Sequence, residues 1–162
     1  MRSIVYFYTH LQHPFDVLTR VLSGDPGLWL PAPATPIEGM DGAWLVDVRA
    51  DGAMPGFVAG NPGHPTEVRV GPPGVGGGKV LRRVAWRSTT AERIVPVLEA
   101  DLELVPLTGY GCQLSLMGSY RRPLSVVAEV GDRLRGHRVA QACVRRFLLD
   151  MAERLESALS QA

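Results

Sequence analysis

Two periods of hydrophobic and polar residues run along this chain, and the places where one gives way to the other divide it into elements. The run Ser3-Ile-Val-Tyr-Phe-Tyr-Thr9 is rich in aromatic and β-branched residues and stops just short of His13-Pro14. Such side chains pack well on a pleated surface, so a strand is expected. From Pro14 the apolar positions Phe15, Val17, Leu18, Val21 and Leu22 recur at helical spacing. Pro14 suits the first turn of a short helix and Gly24 its end. The proline-rich stretch 24 to 42 surrounds Leu28-Trp29-Leu30 and fits either a packed loop or one further helical turn.

From Ala43 onward the signals are of strand type: Trp44 to Arg49, Phe57-Val58, Thr66 to Val70, Val80 to Thr89, Val97 to Leu107 and Cys112 to Tyr120, with turn residues between them. Consecutive strands joined by turns, without intervening helices, predict an antiparallel meander. The stretch Gly71-Pro-Pro-Gly-Val-Gly-Gly-Gly-Lys79 lies inside it and has the look of a phosphate-binding loop. A Walker loop needs Gly, four residues, then Gly-Lys and a Ser or Thr that opens a helix. Here the first position is Pro73, Val80 stands where the hydroxyl should be, and Leu-Arg-Arg-Val-Ala-Trp86 continues as a strand. With no helix N-terminus to face a phosphate, a hairpin loop is expected instead.

Strand faces locate a candidate lining. In Val97 to Leu107 the even positions Leu98, Ala100, Leu102 and Leu104 are apolar, while Glu99, Asp101 and Glu103 share the other face. Cys112, Leu114, Leu116, Gly118 and Tyr120 form the apolar face of the next strand. Superposing the two faces sets Leu104 opposite Leu114 and Leu102 opposite Leu116, and leaves Thr108-Gly-Tyr110 as a three-residue loop. Val80, Val84 and Trp86 share one face, with Arg82 among them. The chain then ends in a helix: Asp132 is a good N-cap, and Leu134, Ala140, Cys143, Val144, Phe147, Leu148, Met151, Leu155 and Ala158 form a broad apolar stripe. At ~1.5 Å per residue such a helix is about 40 Å long and needs a large apolar partner. The sheet is the partner the sequence offers.

Composition narrows the function classes. The 162 residues suit a single domain, 1–162, and 17 basic against 16 acidic residues create no general field for polyanions. No nucleic-acid partner is expected. The apolar run at the N-terminus is too short for a signal-peptide core, and no stretch suits a membrane span, so a cytoplasmic protein is expected. Cys112 and Cys143 lack metal-type spacing and are expected to be reduced, buried thiols.

The order of elements, and above all Leu98-Glu-Ala-Asp-Leu-Glu-Leu-Val-Pro-Leu107, Gln113-Leu-Ser-Leu-Met-Gly-Ser-Tyr120, Pro123, Asp132 and His137-Arg-Val-Ala140 leading into the last helix, resembles the SRPBCC superfamily of START-like and polyketide-cyclase-like proteins. That resemblance implies an α+β helix-grip fold: an antiparallel sheet of about six to seven strands wrapped around a long C-terminal helix, with one or two short helices after the first strand. It also implies a cavity between sheet and helix for an apolar or aromatic small molecule, and in some members a cyclase or dehydratase activity. The superfamily has no single catalytic motif, so no catalytic residue carries over.

The residues that then face the groove are Arg82, Val84, Trp86, Leu102, Leu104, Leu114, Leu116, Tyr120, Cys143, Phe147 and Met151. Trp86 and Tyr120 offer flat walls with polar tips. Arg82 either offers a cation to a ligand carboxylate or phenolate, or reaches water along its aliphatic stem. His10 and His13 lack the further ligands that zinc requires, and His137 reads as a surface or capping histidine. Glu99, Asp101 and Glu103 fall on the solvated face beside Arg83 and Arg87. No metal, cofactor or catalytic residue is expected. The favoured function is binding of an apolar or aromatic small molecule; a cyclase or dehydratase, and an interaction module whose groove is filled by its own side chains, are the alternatives.

Overall fold

Strand β1 (Arg2–Leu11) splits its aromatics between two faces. Val5 and Leu11 are buried, Phe7 packs against the core, and Ile4, Tyr6 and Tyr8 project outward. A computed structural model describes residues 2–49, 64–88, 97–121 and 130–160. Helix α1 (Phe15–Ser23) follows Pro14 at its N-cap, buries Leu18 and Leu22, and stops at Gly24. The next segment takes the helical alternative, as a 3-10 turn at Pro26–Leu28 capped by the Asp25 carboxylate, and then forms the short strand β2 (Ala34–Pro36).

The meander consists of β3 (Ala43–Val48), β4 (His64–Val70), β5 (Gly74–Gly76), β6 (Lys79–Ser88), β7 (Val97–Pro106) and β8 (Cys112–Arg121). The result is an eight-stranded antiparallel sheet with the order β1-β8-β7-β6-β4-β3-β2, and β5 hairpins onto β6. The six to seven strands expected become eight because β2 and β5 are only three residues long and show no alternation. Phe57-Val58 and Thr89 lie outside the described residues.

The glycine-rich stretch is the β5–β6 hairpin. Gly76 pairs with Lys79, and Gly77 and Gly78 both have positive φ, 61° and 73°. That is the backbone a tight two-residue hairpin turn demands, and glycine adopts it without steric cost. The β7–β8 register is the one the leucines dictate: Leu102 faces Leu116 and Leu104 faces Leu114, and Leu107 N donates to Gly111 O at 2.9 Å around the three-residue loop.

Helix α2 (Val130–Ser160) lies over the inner face of the sheet. It begins two residues before Asp132, so Asp132 is not its N-cap. Val139, Ala140, Cys143, Val144, Phe147, Leu148, Met151 and Leu155 are buried on its inner side and join one apolar cluster with the inward residues of every long strand. Glu99 and Glu103 project the other way, where they pair with Arg2 at 3.1 Å and Lys79 at 3.3 Å; Arg83 stands opposite Asp101, while Arg87 pairs with Glu67. Exposed ion pairs of this kind add little stability. They mark the solvent side of the sheet.

Candidate functional site

Antiparallel pairing brings inward residues of successive strands abreast in transverse rows, of which Val80, Leu104 and Leu114 form the fourth. One row is Trp86, Leu98 and Tyr120; the next is Val84, Ala100 and Gly118, with Val5 beyond it; the third is Arg82, Leu102 and Leu116. Four strand positions, about 13 Å, separate the first row from the third. Leu98, Leu102, Leu104, Leu114 and Leu116 are all fully buried. From above, Phe147 sets its ring against Trp86 with centroids 4.5 Å apart, within the range of favourable aromatic pairs. Val84, Trp86, Leu102, Leu104, Leu114, Leu116, Tyr120, Cys143, Phe147 and Met151 belong to one buried apolar cluster, and Arg82 lies outside it.

Arg82 corrects its expected role. Its side chain neither reaches water nor waits for a ligand: the residue is 5% exposed, and every guanidinium nitrogen donates to a backbone carbonyl. Nε and Nη2 donate to Gly71 O at 3.0 and 2.9 Å, and Nη1 donates to Leu22 O at 3.0 Å and Gly24 O at 2.8 Å. Leu22 and Gly24 stand at the C-terminal end of α1, where carbonyls lack helical partners and favour a cation. The guanidinium also lies 5.5 Å from the centre of the Trp29 ring. Burial pushes the arginine below its ordinary pKa, and the carbonyl cradle offsets that desolvation. Ser23 Oγ and Trp29 Nε1 are buried at this end without a hydrogen-bond partner, so Arg82 carries its polar balance.

His137 also corrects its expected role, for it is neither a surface nor a capping residue. It is half-buried on α2, and its Nδ1 is hydrogen-bonded to the hydroxyl of Tyr120, a residue only 1% exposed. The other ring nitrogen meets the Gln141 amide at 3.0 Å, one turn along the helix. A neutral imidazole has one donor and one acceptor nitrogen. Because the Gln141 Nε2 donates, His137 Nε2 accepts, and the imidazole proton sits on Nδ1, which donates to the Tyr120 hydroxyl oxygen. Beside it a hollow opens on the surface, lined by Arg2, Val97, Glu99, Ser119, Tyr120 and Arg121. Its enclosed space is about 10 Å³, far below the ~300 Å³ at which small-molecule pockets usually start.

The thiols are chemically quiet. Burial pushes Cys143 up to about 12. Cys112 is raised by burial and then by the charge of Asp16, and its Sγ donates to His13 O at 3.4 Å. Both are free. Among the described residues no group of His, Cys, Asp or Glu is arranged to hold a metal, and His10 is exposed and packs against Tyr8. No described helix is long and apolar enough to cross a membrane.

No protein-family model and no curated protein sequence matches the chain. Solved structures do. Norcoclaurine synthase from Thalictrum flavum superposes with a TM-score of 0.60 at 14% identity, over 100% of this chain and 88% of that one. The fold is START-like. A START superfamily protein from Mycobacterium smegmatis aligns over 98% of this chain and 97% of its own, at 14% identity and a TM-score of 0.53. Ara h 8.0201 aligns over 97% and 99%, at 11% identity and 0.56. With the eight-stranded sheet, one short helix after β1 and the long C-terminal helix, the described residues have the helix-grip architecture expected from the SRPBCC resemblance.

Proposed function

We propose that the protein binds an apolar or aromatic small molecule between the sheet and α2. The observation that carries this reading is the continuity of the lining: among the described residues the inward faces of β4, β6, β7 and β8 and the facing stripe of α2 are apolar, interrupted by the buried Thr66 and Arg82 and the hydroxyl of Tyr120. A site of that chemistry excludes water and favours flat hydrocarbon, with few polar groups to orient it. Norcoclaurine synthase, which shares the fold, has been solved with dopamine and hydroxybenzaldehyde, and supports the aromatic class. Val84, Trp86, Leu102, Leu104, Leu114, Leu116, Tyr120, Cys143, Phe147 and Met151 are the proposed lining. Arg82, its nitrogens held by carbonyls, shapes the wall rather than meeting the ligand. Reduced, buried thiols support the cytoplasm as the compartment.

Native mass spectrometry of the protein gently extracted from its own host tests this reading. Added mass from a retained small molecule is the expected result, and the bare chain mass at high concentration would count against it. A filled groove is the second reading, favoured by the complete burial of the four central leucines and the Trp86–Phe147 contact. A cyclase or dehydratase activity draws its support from the Tyr120–His137 contact, which joins two proton-carrying groups at one end of the lining.

A further inference from the structure

The two edges of the sheet are built differently. Among the described residues they are β2 and β1. β2 is three residues long and contains Pro36, and shortness and proline are two of the devices that keep a sheet edge from pairing. β1 is ten residues long, carries no proline, glycine or lysine, and pairs with β8 from Arg2 to Leu11 without a bulge. We propose that β1 is the docking edge for a second copy of this chain. The two β1 strands lie antiparallel across a two-fold axis at Tyr6, and the sheets join edge to edge.

Exposure is the first argument. Ile4, Tyr6 and Tyr8 on the outward side of β1 are 80%, 49% and 57% exposed, and Met117, opposite Tyr6 on β8, is 55% exposed. The rings of Tyr6 and Tyr8 have their centroids 6.0 Å apart. A contiguous apolar patch of this kind on a long edge strand is a pairing surface. On the inward side α2 covers Val5 and Leu11, yet Ser3, Phe7 and Thr9 stay half-buried, whereas Cys112, Leu114, Leu116 and Tyr120 of the neighbouring strand are buried. The helix therefore roofs β1 without closing its edge.

Self-complementarity is the second argument. A two-fold axis perpendicular to the sheet keeps both outward faces on one side, so each residue stands opposite one that points the same way. With Tyr6 opposite its own copy, Ile4 meets the second copy's Tyr8, Val5 meets its Phe7 and Ser3 meets its Thr9. The exposed trio is then centred on the axis, and the two patches become one. Charge is the third argument. Arg2 is the charged residue of β1 and pairs with Glu99. The antiparallel joint sets it opposite His10, which parts the two arginines by about 26 Å at ~3.3 Å per residue. A parallel joint would set them side by side, which costs stability. At about 100 Å² each, Ile4, Tyr6 and Tyr8 offer about 300 Å² per copy, half of the ~600 Å² that each partner contributes at the lower limit of stable complexes. Ser3, Phe7, Thr9 and the free backbone groups of the strand add the remainder, so the dimer is in exchange with the monomer.

Sedimentation equilibrium of the full chain over a wide range of concentration tests this. The expected result is a mass that rises from one chain toward two. Tyr6→Lys and Tyr6→Glu each set like charges face to face on the axis and should weaken association at least about tenfold. Mixing the two variants sets opposite charges there and should restore a dimer of one chain of each. A native chain that stays monomeric throughout overturns the proposal. So does a Tyr6→Lys chain that dimerises like the native one, or a mixture that stays monomeric where the native chain dimerises. Should the variants not fold, hydrogen exchange of the native protein decides: the β1 amides that do not bond β8 must gain protection as the dimer forms. If those amides exchange alike in monomer and dimer, another surface makes the contact and the proposal is overturned.

Discussion

At one end of the groove Arg82 divides its donors among three backbone carbonyls, and at the other Tyr120 meets His137 side chain to side chain. Both are polar groups buried against aromatic neighbours, yet they do different work. Backbone carbonyls of α1 and the β4–β5 connection cannot turn away without unfolding local structure, so Arg82 fastens β6 to the end of α1, 58 to 60 residues away in sequence, and to Gly71, 11 residues away. The imidazole of His137 rides on a half-buried part of α2 and bonds two side chains, Tyr120 and Gln141, instead of backbone. Burial alone does not tell a structural polar group from one able to serve a ligand. What the partner is made of does.

Removing Arg82 is the most damaging way to test that contrast. Arg82→Ala would leave the buried Leu22 carbonyl and the half-buried Gly71 carbonyl without their donor, while the exposed Gly24 carbonyl can turn to water; at roughly 1–3 kcal/mol for each of the first two the loss comes to about 4 kcal/mol. Arg82→Lys should recover less than half, because one ammonium cannot span carbonyls on both sides as a planar fork does. Denaturant melts measure both. A loss below about 2 kcal/mol for Arg82→Ala would break the comparison, since the arginine would then be dispensable to the fold.

Phe147→Ala probes the region between the two ends. In a fully packed groove it should cost about 3–5 kcal/mol, and less where packing atoms are already missing beside a ligand space. A binder shows the smaller loss together with stabilisation by an added aromatic ligand, as mass action requires. Large losses in both Phe147→Ala and Leu116→Ala, with no stabilisation by any ligand of a broad apolar panel, would favour the filled groove.

Gly118 stands in the second row, and its role is steric. A Cβ there would lie 2.1 Å from Glu99 O and 2.5 Å from Ala100 Cα, both backbone atoms of β7. Gly118→Ala therefore has to push the two strands apart, at a cost of about 1–3 kcal/mol. Because Tyr120 is two residues along β8, the displacement should also weaken its bond to His137 and leave Arg82 seated. Equal protection of the α1 amides in the variant and the native protein, measured by hydrogen exchange, checks that division.

Much of this architecture was readable from side-chain pattern. Leu102 opposite Leu116 and Leu104 opposite Leu114 follow from two alternating strands and a loop with one glycine, because a slip of one residue would expose every leucine. The stripe from Ala140 to Leu155 identified the inner side of α2 in the same way. Arg82's partners were hidden, for carbonyls of Leu22, Gly24 and Gly71 carry no signature in the sequence. The Tyr120–His137 contact left a faint one. His137 stands three residues before Ala140 and seven before Val144, which puts it on the buried stripe rather than on the surface. β2 and β5 escaped because three-residue strands containing proline or glycine show no period.

The smallest expected effect sharpens the comparison most, because it reads the two ends separately in one experiment. Cys112 starts β8 at the end of the sheet where the β7–β8 loop and the β1–α1 connection lie, and Cys143 is on α2 between His137 and Phe147. Both thiols are buried, and with Cys143 held up to about 12 a neutral-pH reagent reaches a thiolate there only after the helix has opened locally. Labelling of either cysteine should therefore be slow in the native protein. Tyr120→Phe deletes one hydrogen bond to α2, a net loss of about 1 kcal/mol, which raises the open population roughly fivefold if that bond is what holds this part of the helix down. Cys143 should then be labelled about fivefold faster, while Cys112 keeps its native rate. A parallel rise at both cysteines would mean that the whole domain opens as one unit, and the distinction between a fixed end and an exchangeable end would fall.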